Sequence, residues 1–433
     1  MKQMNKPKLI NEYSEVKIDD CYLDKLQAYL KCQKLDSALK VTRQGIKTKS
    51  WVGVIKYKNL HLEILPKLIS ADVNNDNKIS EDERSIILKN LIFMLSYTKK
   101  LDIKTNDNAK LATEKNPFIE ILIREFASSL FESLKRLTPK RYVREEENLN
   151  YLKGKIKFSE NIRYNCTNQA KFYCEYDEFS ENNLLNQLFL FVSTCLYNIS
   201  NNSYNKKTLK FIINYYSDIS FVRFDKFKVR EIKLARNQEL FKKPFKLAKM
   251  FVEQTSVDLS KNKFENITLV WDMNKLFEEF VYEILKRQTS LSVSAQKGKR
   301  LLKNVDSKIR NTYVDILITK PQKIVVDTKY KELQSIQDFD NKDAFQVITY
   351  CLLHNTNKAV LIYPKFNNNI NKNYELNIDK KVCPFFIENN PCNKEKIDYK
   401  YTIKFLTINL KHKLNNRNIK RIAKIIEGRI LQS

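Results

Sequence analysis

The chain has 433 residues, enough for two or three domains and a sizeable core. Lys and Arg total 78 against 50 Asp and Glu, a formal net charge of +28. That balance favours a polyanionic partner, although Lys, Asn and Ile are abundant throughout and part of the charge follows from that bias. No apolar leader opens the sequence and no run of about 18 apolar residues interrupts it, so a soluble, cytoplasmic protein is expected. Eight Cys without a CxxC pair, together with three His, weigh against structural zinc. Five Gly and no GxxxxGK[ST] exclude a phosphate loop, so any nucleotide hydrolysis would belong to another polypeptide.

Residues 1–165 read as an N-terminal α+β region. Asp24–Leu39 has helical spacing, and Val52–Ile55 and Leu60–Leu65 are apolar runs of strand character. Asp72–Glu83 fits the spacing of a calcium loop, with Asn77 in the glycine position. No helix precedes it, however, and Ser80 with Glu83 makes a capping box for a helix over Asp82–Tyr97, so a surface loop is the preferred reading. Pro117–Leu137 is a second amphipathic helix. Arg141–Asn148, with three successive Glu, reads as a solvated face.

Residues 166–262 form a mainly helical, basic middle segment. Glu181–Asn198 is a core helix. Phe221–Lys249 interleaves Phe with Lys and Arg, which suits either phosphate contact or amphipathic helices whose Phe residues are core.

Residues 263–433 carry the chemistry. On the helix Asp272–Arg287, Met273, Phe277, Phe280, Val281 and Ile284 make an apolar stripe, with Glu278 at its edge. Leu291–Val305 reads as a basic connection containing Lys297, Lys299 and Arg300. Tyr313–Lys331 follows as two strands joined by a turn at Lys320-Pro321-Gln322, with Asp315 inside one apolar run and Asp327 inside the other. Alternation along a strand puts Asp327 and Lys329 on one face. Carboxylates amid Val and Ile are paired or metal-bound. Here that means either a buried Asp–Lys ion pair or Mg²⁺, which takes one or two carboxylates and completes its shell with water and phosphate oxygens. Asp343, Gln346 and Tyr350 then share one face of a helix over Asp343–His354. Val360–Tyr363 and Tyr401–Asn409 are strands, and a terminal amphipathic helix through Ile419 and Ile430 is expected to cover the sheet.

Asp315 followed by Asp327-Thr328-Lys329 resembles the PD-(D/E)xK nuclease motif, with Val314 in place of its Pro. Gln346 and Tyr350 resemble the QxxxY element of the RecB-like branch. Trp271–Val281 looks like the helix that opens the nuclease domain of McrC, the cleavage subunit of McrBC-type restriction systems. The similarity continues in Val52–Leu68, Leu152–Phe158, Tyr176–Gln187 and Leu361–Lys365. The resemblance implies α/β and α+β domains: a C-terminal restriction-endonuclease-like mixed sheet flanked by helices, and an N-terminal region that docks an McrB-like AAA+ GTPase ring. It implies DNA as substrate, Mg²⁺ as cofactor, and GTP bound by the partner rather than by this chain. It assigns Asp315, Asp327 and the Thr328 backbone carbonyl to the metal, Lys329, Gln346 and Glu278 to catalysis, and Lys297, Lys299, Arg300 and Tyr350 to DNA. The alternatives are a RecB-like repair nuclease acting without that partner, and a non-catalytic activator of the GTPase. The intact Asp315, Asp327 and Lys329 weigh against the activator.

Overall fold

The computed structural model describes residues 8–17, 26–31, 39–43, 45–57, 60–67, 81–101, 118–258, 263–303, 309–331, 340–365, 375–377, 401–410 and 412–431. Most of the Asp72–Glu83 stretch lies outside them. In chain order the strands are Lys8–Asn11 (β1), Glu15–Lys17 (β2), Leu39–Val41 (β3), Gly45–Thr48 (β4), Trp51–Tyr57 (β5) and Leu60–Leu65 (β6). Arg141–Leu149 (β7), Lys155–Ile156 (β8), Phe172–Ser180 (β9), Thr255–Asp258 (β10) and Lys263–Asp272 (β11) come next. The last are Ser292–Lys303 (β12), Ile309–Lys320 (β13), Ile324–Thr328 (β14), Lys358–Lys365 (β15), Glu375–Asn377 (β16) and Thr402–Asn409 (β17). Among the described residues the sheets have the orders β1-β6-β5-β11-β10, β2-β4-β3, β7-β9-β8 and β12-β13-β14-β15-β17-β16.

Contacts divide the chain into two units that interleave along the sequence. One is drawn from Met1–Lys8, Val54–Leu62 and Asn116–Leu269. In it the helices Phe118–Leu134, Leu184–Ile199, Ser203–Tyr215 and Lys242–Glu253 pack on one another. Asn183 caps the second of these, its side chain accepting from the N–H groups of Leu185 and Asn186. Glu120 is buried but fully bonded: Oε2 accepts from Ser200 Oγ and Asn205 Nδ2, each at 2.8 Å, and Oε1 from the Asn201 N–H at 2.6 Å. In the Phe221–Lys249 stretch, Phe224 and Phe241 are core, whereas Phe221 and Phe227 are exposed.

The other unit comprises Leu9–Gly53, Glu63–Lys115 and Val270–Ser433 and holds the six-stranded mixed sheet. β12, β13 and β14 are antiparallel, β14, β15 and β17 are parallel, and β16 closes the far edge antiparallel to β17. The helix Asn341–His354 packs on β14 and β15 and buries Val347, Tyr350 and Cys351 against Leu317, Val325, Leu361, Tyr363 and Phe405. The helix Met273–Gln288 is capped by Asp272, whose side chain accepts from the Asn274 N–H, and packs on β12 and β14.

Two expectations are corrected. Leu291–Val305 is not a connection: most of it is β12, paired antiparallel with β13 along its length, with irregularities in register. Its Lys- and Ser-rich composition is that of an edge strand, which needs one neighbour and no continuous apolar run. The terminal helix, Asn416–Leu431, packs chiefly on the helix Met273–Gln288 rather than covering the sheet. No helix among the described residues is long and apolar enough to cross a membrane.

Candidate active site

β13 and β14 form the hairpin expected over Tyr313–Lys331. Their pairing runs from Ile318 opposite Ile324 to Ile316 opposite Val326, and all of these side chains are buried. Asp315 and Asp327 stand one residue further on, at the open end of the hairpin. Asp315 ties that end together, its Oδ2 accepting from the Thr328 N–H at 2.9 Å and the Thr328 hydroxyl at 3.0 Å. On the other side, the Lys329 N–H donates to the Ile362 carbonyl of β15 at 3.0 Å, which fixes the backbone from which Lys329 projects.

Asp327 is fully buried. The Lys329 ammonium lies 3.0 Å from its Oδ2, and among the described residues neither carboxylate oxygen has any other hydrogen-bond donor. Burial, then the negative charge of Asp315, push the Asp327 carboxyl up to about 7 against the pull of Lys329. Glu120, buried to a similar degree, is met by three donors; Asp327 is met by one cation. A buried carboxylate left this short of partners is a costly arrangement for stability and a ready ligand for a cation.

Lys329 is held on two sides. Its Nζ donates to Gln346 Oε1 at 2.8 Å, and Gln346 Nε2 donates to the Tyr350 hydroxyl at 2.7 Å. Gln346 and Tyr350 are thus brought to the hairpin by one face of the helix Asn341–His354, and Tyr350 is buried there. Burial lowers the Lys329 pKa, but Asp327, Asp343 and Asp315 outweigh it and the net shift is upward. Lys329 is therefore an ammonium, suited to neutralising or orienting an anion and unsuited to accepting a proton.

Glu278, half-buried on the helix Met273–Gln288, has its pKa raised by burial and by Asp315, which places it within electrostatic reach of that carboxylate. Gln296 of β12 donates to its Oε1 at 3.4 Å. Lys297 and Lys299 lie exposed on β12, Lys297 paired with Val314, the neighbour of Asp315. Arg300 continues that strand, opposite Asn311.

Lys331 and Tyr330 escape the sequence reading, which places Asp343 on the face of Gln346 but gives it no partner. Asp343 ion-pairs with Lys331 at 2.5 Å and lies 3.9 Å from Lys329 Nζ. Its place three residues before Gln346, and that of Lys331 two residues after Lys329, are the signals that point to them. Tyr330 is buried, and its hydroxyl donates to Glu12, a contact no local pattern reveals.

Two carboxylates on adjacent strand ends, one short of donors, suit the donor set that Mg²⁺ takes when substrate phosphate completes its shell. Among the described residues no group of three or more His, Cys, Asp or Glu converges on a common point.

A family model, described as the McrBC 5-methylcytosine restriction system component, matches residues 46–364. The chain belongs to this McrBC family. Two solved structures resemble this McrBC-family chain. One is a refined half-complex from a tetradecameric assembly of Thermococcus gammatolerans McrB AAA+ hexamers with bound McrC. It matches with a TM-score of 0.73 and 20% identity, covering 97% of this chain and 100% of the matched one. The other, a cryo-EM structure of the Thermococcus gammatolerans McrBC complex, gives a TM-score of 0.52 and 24% identity over 65% of this chain and 88% of the matched one. At these identities the likeness is one of fold. No curated protein matches the sequence.

Proposed function

We propose that this McrBC-family chain is the DNA-cleaving subunit of a McrBC-like restriction system, with a PD-(D/E)xK site that works with Mg²⁺ and is gated by a GTP-hydrolysing AAA+ partner. The observation that carries the reading is the Asp327 carboxylate, buried beside Asp315 with Lys329 as its one counter-charge. Asp315, Asp327 and the Thr328 carbonyl would hold the ion. When bound, Mg²⁺ lowers the pKa of a water and neutralises charge on the phosphate.

The protein's own groups do the rest. Water attacks phosphorus, the bond from phosphorus to the bridging ester oxygen breaks, and the water proton ends on the departing alkoxide. Lys329, positively charged and steered by Gln346, stabilises the extra negative charge on the phosphoryl oxygens as the nucleophile adds. Tyr350 fixes the Gln346 amide so that its carbonyl faces Lys329. Glu278 is placed to orient the attacking water. Lys297, Lys299 and Arg300 on the edge strand β12 contact backbone phosphates without reading sequence. The sequence carries no phosphate loop, so GTP would be bound by the partner.

Plasmid cleavage with Mg²⁺ and GTP, with and without the AAA+ partner, tests this reading against Asp327→Ala and Lys329→Ala. Cutting that requires the partner and disappears in both variants supports it. Partner-independent cutting points to a repair nuclease, and variants as active as wild type would show that the hairpin is not the active site.

A further inference from the structure

Asp343 is a buried carboxylate at the site to which the reaction above gives no role. It lies in the first turn of the helix Asn341–His354, one turn ahead of Gln346. Its two oxygens are used differently. Oδ2 takes the Lys331 ammonium at 2.5 Å and the Tyr363 hydroxyl at 3.5 Å. Oδ1 faces Lys329, with Nζ at 3.9 Å. The Lys329 ammonium therefore stands between two carboxylates, 3.0 Å from Asp327 Oδ2 and 3.9 Å from Asp343 Oδ1.

An ammonium at hydrogen-bond distance from Asp327 and a divalent cation on the same carboxylate repel each other in a poorly solvated place. One of them has to give way, and Lys329 is the one on a flexible four-carbon stem. We propose that Asp343 is a positioning residue: it receives Lys329 when Asp327 takes up a divalent cation, keeping the lysine charged and close instead of expelled. This rests on the metal reading above. Three features of the structure support it. The receiving oxygen is the one that Lys331 and Tyr363 leave open. Gln346, which accepts from Lys329, shares a helix with Asp343, so that bond can persist during the exchange. The second carboxylate already lies within ion-pair reach of Nζ, so side-chain torsions alone complete the move.

The test is calorimetric titration of Mg²⁺ alone into the full chain, without DNA or partner, for wild type, Asp327→Ala, Asp343→Asn and Asp343→Asn combined with Lys329→Met. Asp343→Asn is expected to weaken Mg²⁺ binding on the order of tenfold or more, the range for loss of an outer partner of a ligand. Adding Lys329→Met is expected to restore it, because the competing ammonium is gone. That rescue is the result a merely structural Asp343 does not give, and it also shows that the variants fold. Asp343→Asn binding Mg²⁺ as tightly as wild type, or a loss that Lys329→Met leaves unrelieved, overturns the proposal. Wild type indistinguishable from Asp327→Ala sinks the metal reading and this proposal with it, an outcome recognisable because removing the ligand itself then changes nothing.

Discussion

The hydroxyl of Tyr330 donates to Glu12 Oε1 at 2.7 Å across 318 residues of sequence. Tyr330 follows Lys329 directly, and its ring packs on Phe277, the neighbour of Glu278. One buried phenol thus ties the first described strands to both the lysine and the helix of the site. The Lys67 N–H also donates to Glu12 Oε1, at 2.6 Å, while Oε2 is buried and has no hydrogen-bond partner among the described residues.

The Glu12 contact makes stability depend on pH. Burial pushes its carboxyl from 4.5 up to about 7, against the opposing bonds from Tyr330 and Lys67. A carboxyl that holds its proton more tightly folded than unfolded stabilises fully below about pH 4.5, and that contribution is lost as pH rises through about 7. Glu12→Gln is expected to remove this slope. The melting-temperature difference between variant and wild type should move in favour of Gln between pH 5 and pH 8, by the equivalent of about 3 kcal/mol at most. Parallel pH profiles for the two proteins would show that Glu12 does not carry the titration.

Asp327→Asn should separate stability from chemistry. It relieves a buried, poorly partnered charge next to Asp315, so thermal stability at pH 8 is expected to be equal to or higher than wild type, by roughly 1–3 kcal/mol, with the gain fading towards pH 5. Cleavage should fall by a factor of at least about 100. A variant that melts well below wild type at pH 8 would mean that Asp327 contributes a structural ion pair.

The chain from Lys329 through Gln346 to Tyr350 predicts graded losses. Tyr350→Phe deletes one hydrogen bond and leaves the ring in the core, so kcat should drop about three- to tenfold, the equivalent of about 1 kcal/mol, with KM unchanged. Gln346→Ala removes both bonds and should cost more. If Tyr350→Phe instead raises KM alone, its hydroxyl belongs to DNA binding.

Lys297→Ala and Lys299→Ala address the edge strand. Each should weaken DNA binding evenly across sequences and reduce the salt slope by about 1, leaving kcat at saturating DNA unchanged. Unaltered affinity and slope in the double variant would remove β12 from the DNA surface.

The hairpin was legible because its apolar runs, its Lys320-Pro321-Gln322 break and its two carboxylates are all local signals. The helix over Asp272–Arg287 was legible because the apolar stripe from Met273 to Ile284 marks it directly, whereas the caps at Asp272 and Asn183 emerge only from the structure. β12 was not, since Ser292–Lys303 owes its strand form to hydrogen bonds with β13 rather than to its own apolar pattern. The partnership of Asp343 with two lysines was visible only as spacing. The Glu12–Tyr330 bond was not visible at all, because sequence separation carries no trace of spatial pairing.

Asn90 donates its side-chain amide to the carbonyls of Leu410 and His412 and accepts the Leu414 N–H. It emerges from the ribosome more than three hundred residues before those partners do. Until they arrive, a polar group destined for the interior has nothing to bind, and β15 lacks β17 as its neighbour. Translation therefore acts as a timer on this unit: the sheet bearing Asp315 and Asp327 closes late in synthesis, and a message truncated before Thr402 leaves that sheet unfinished.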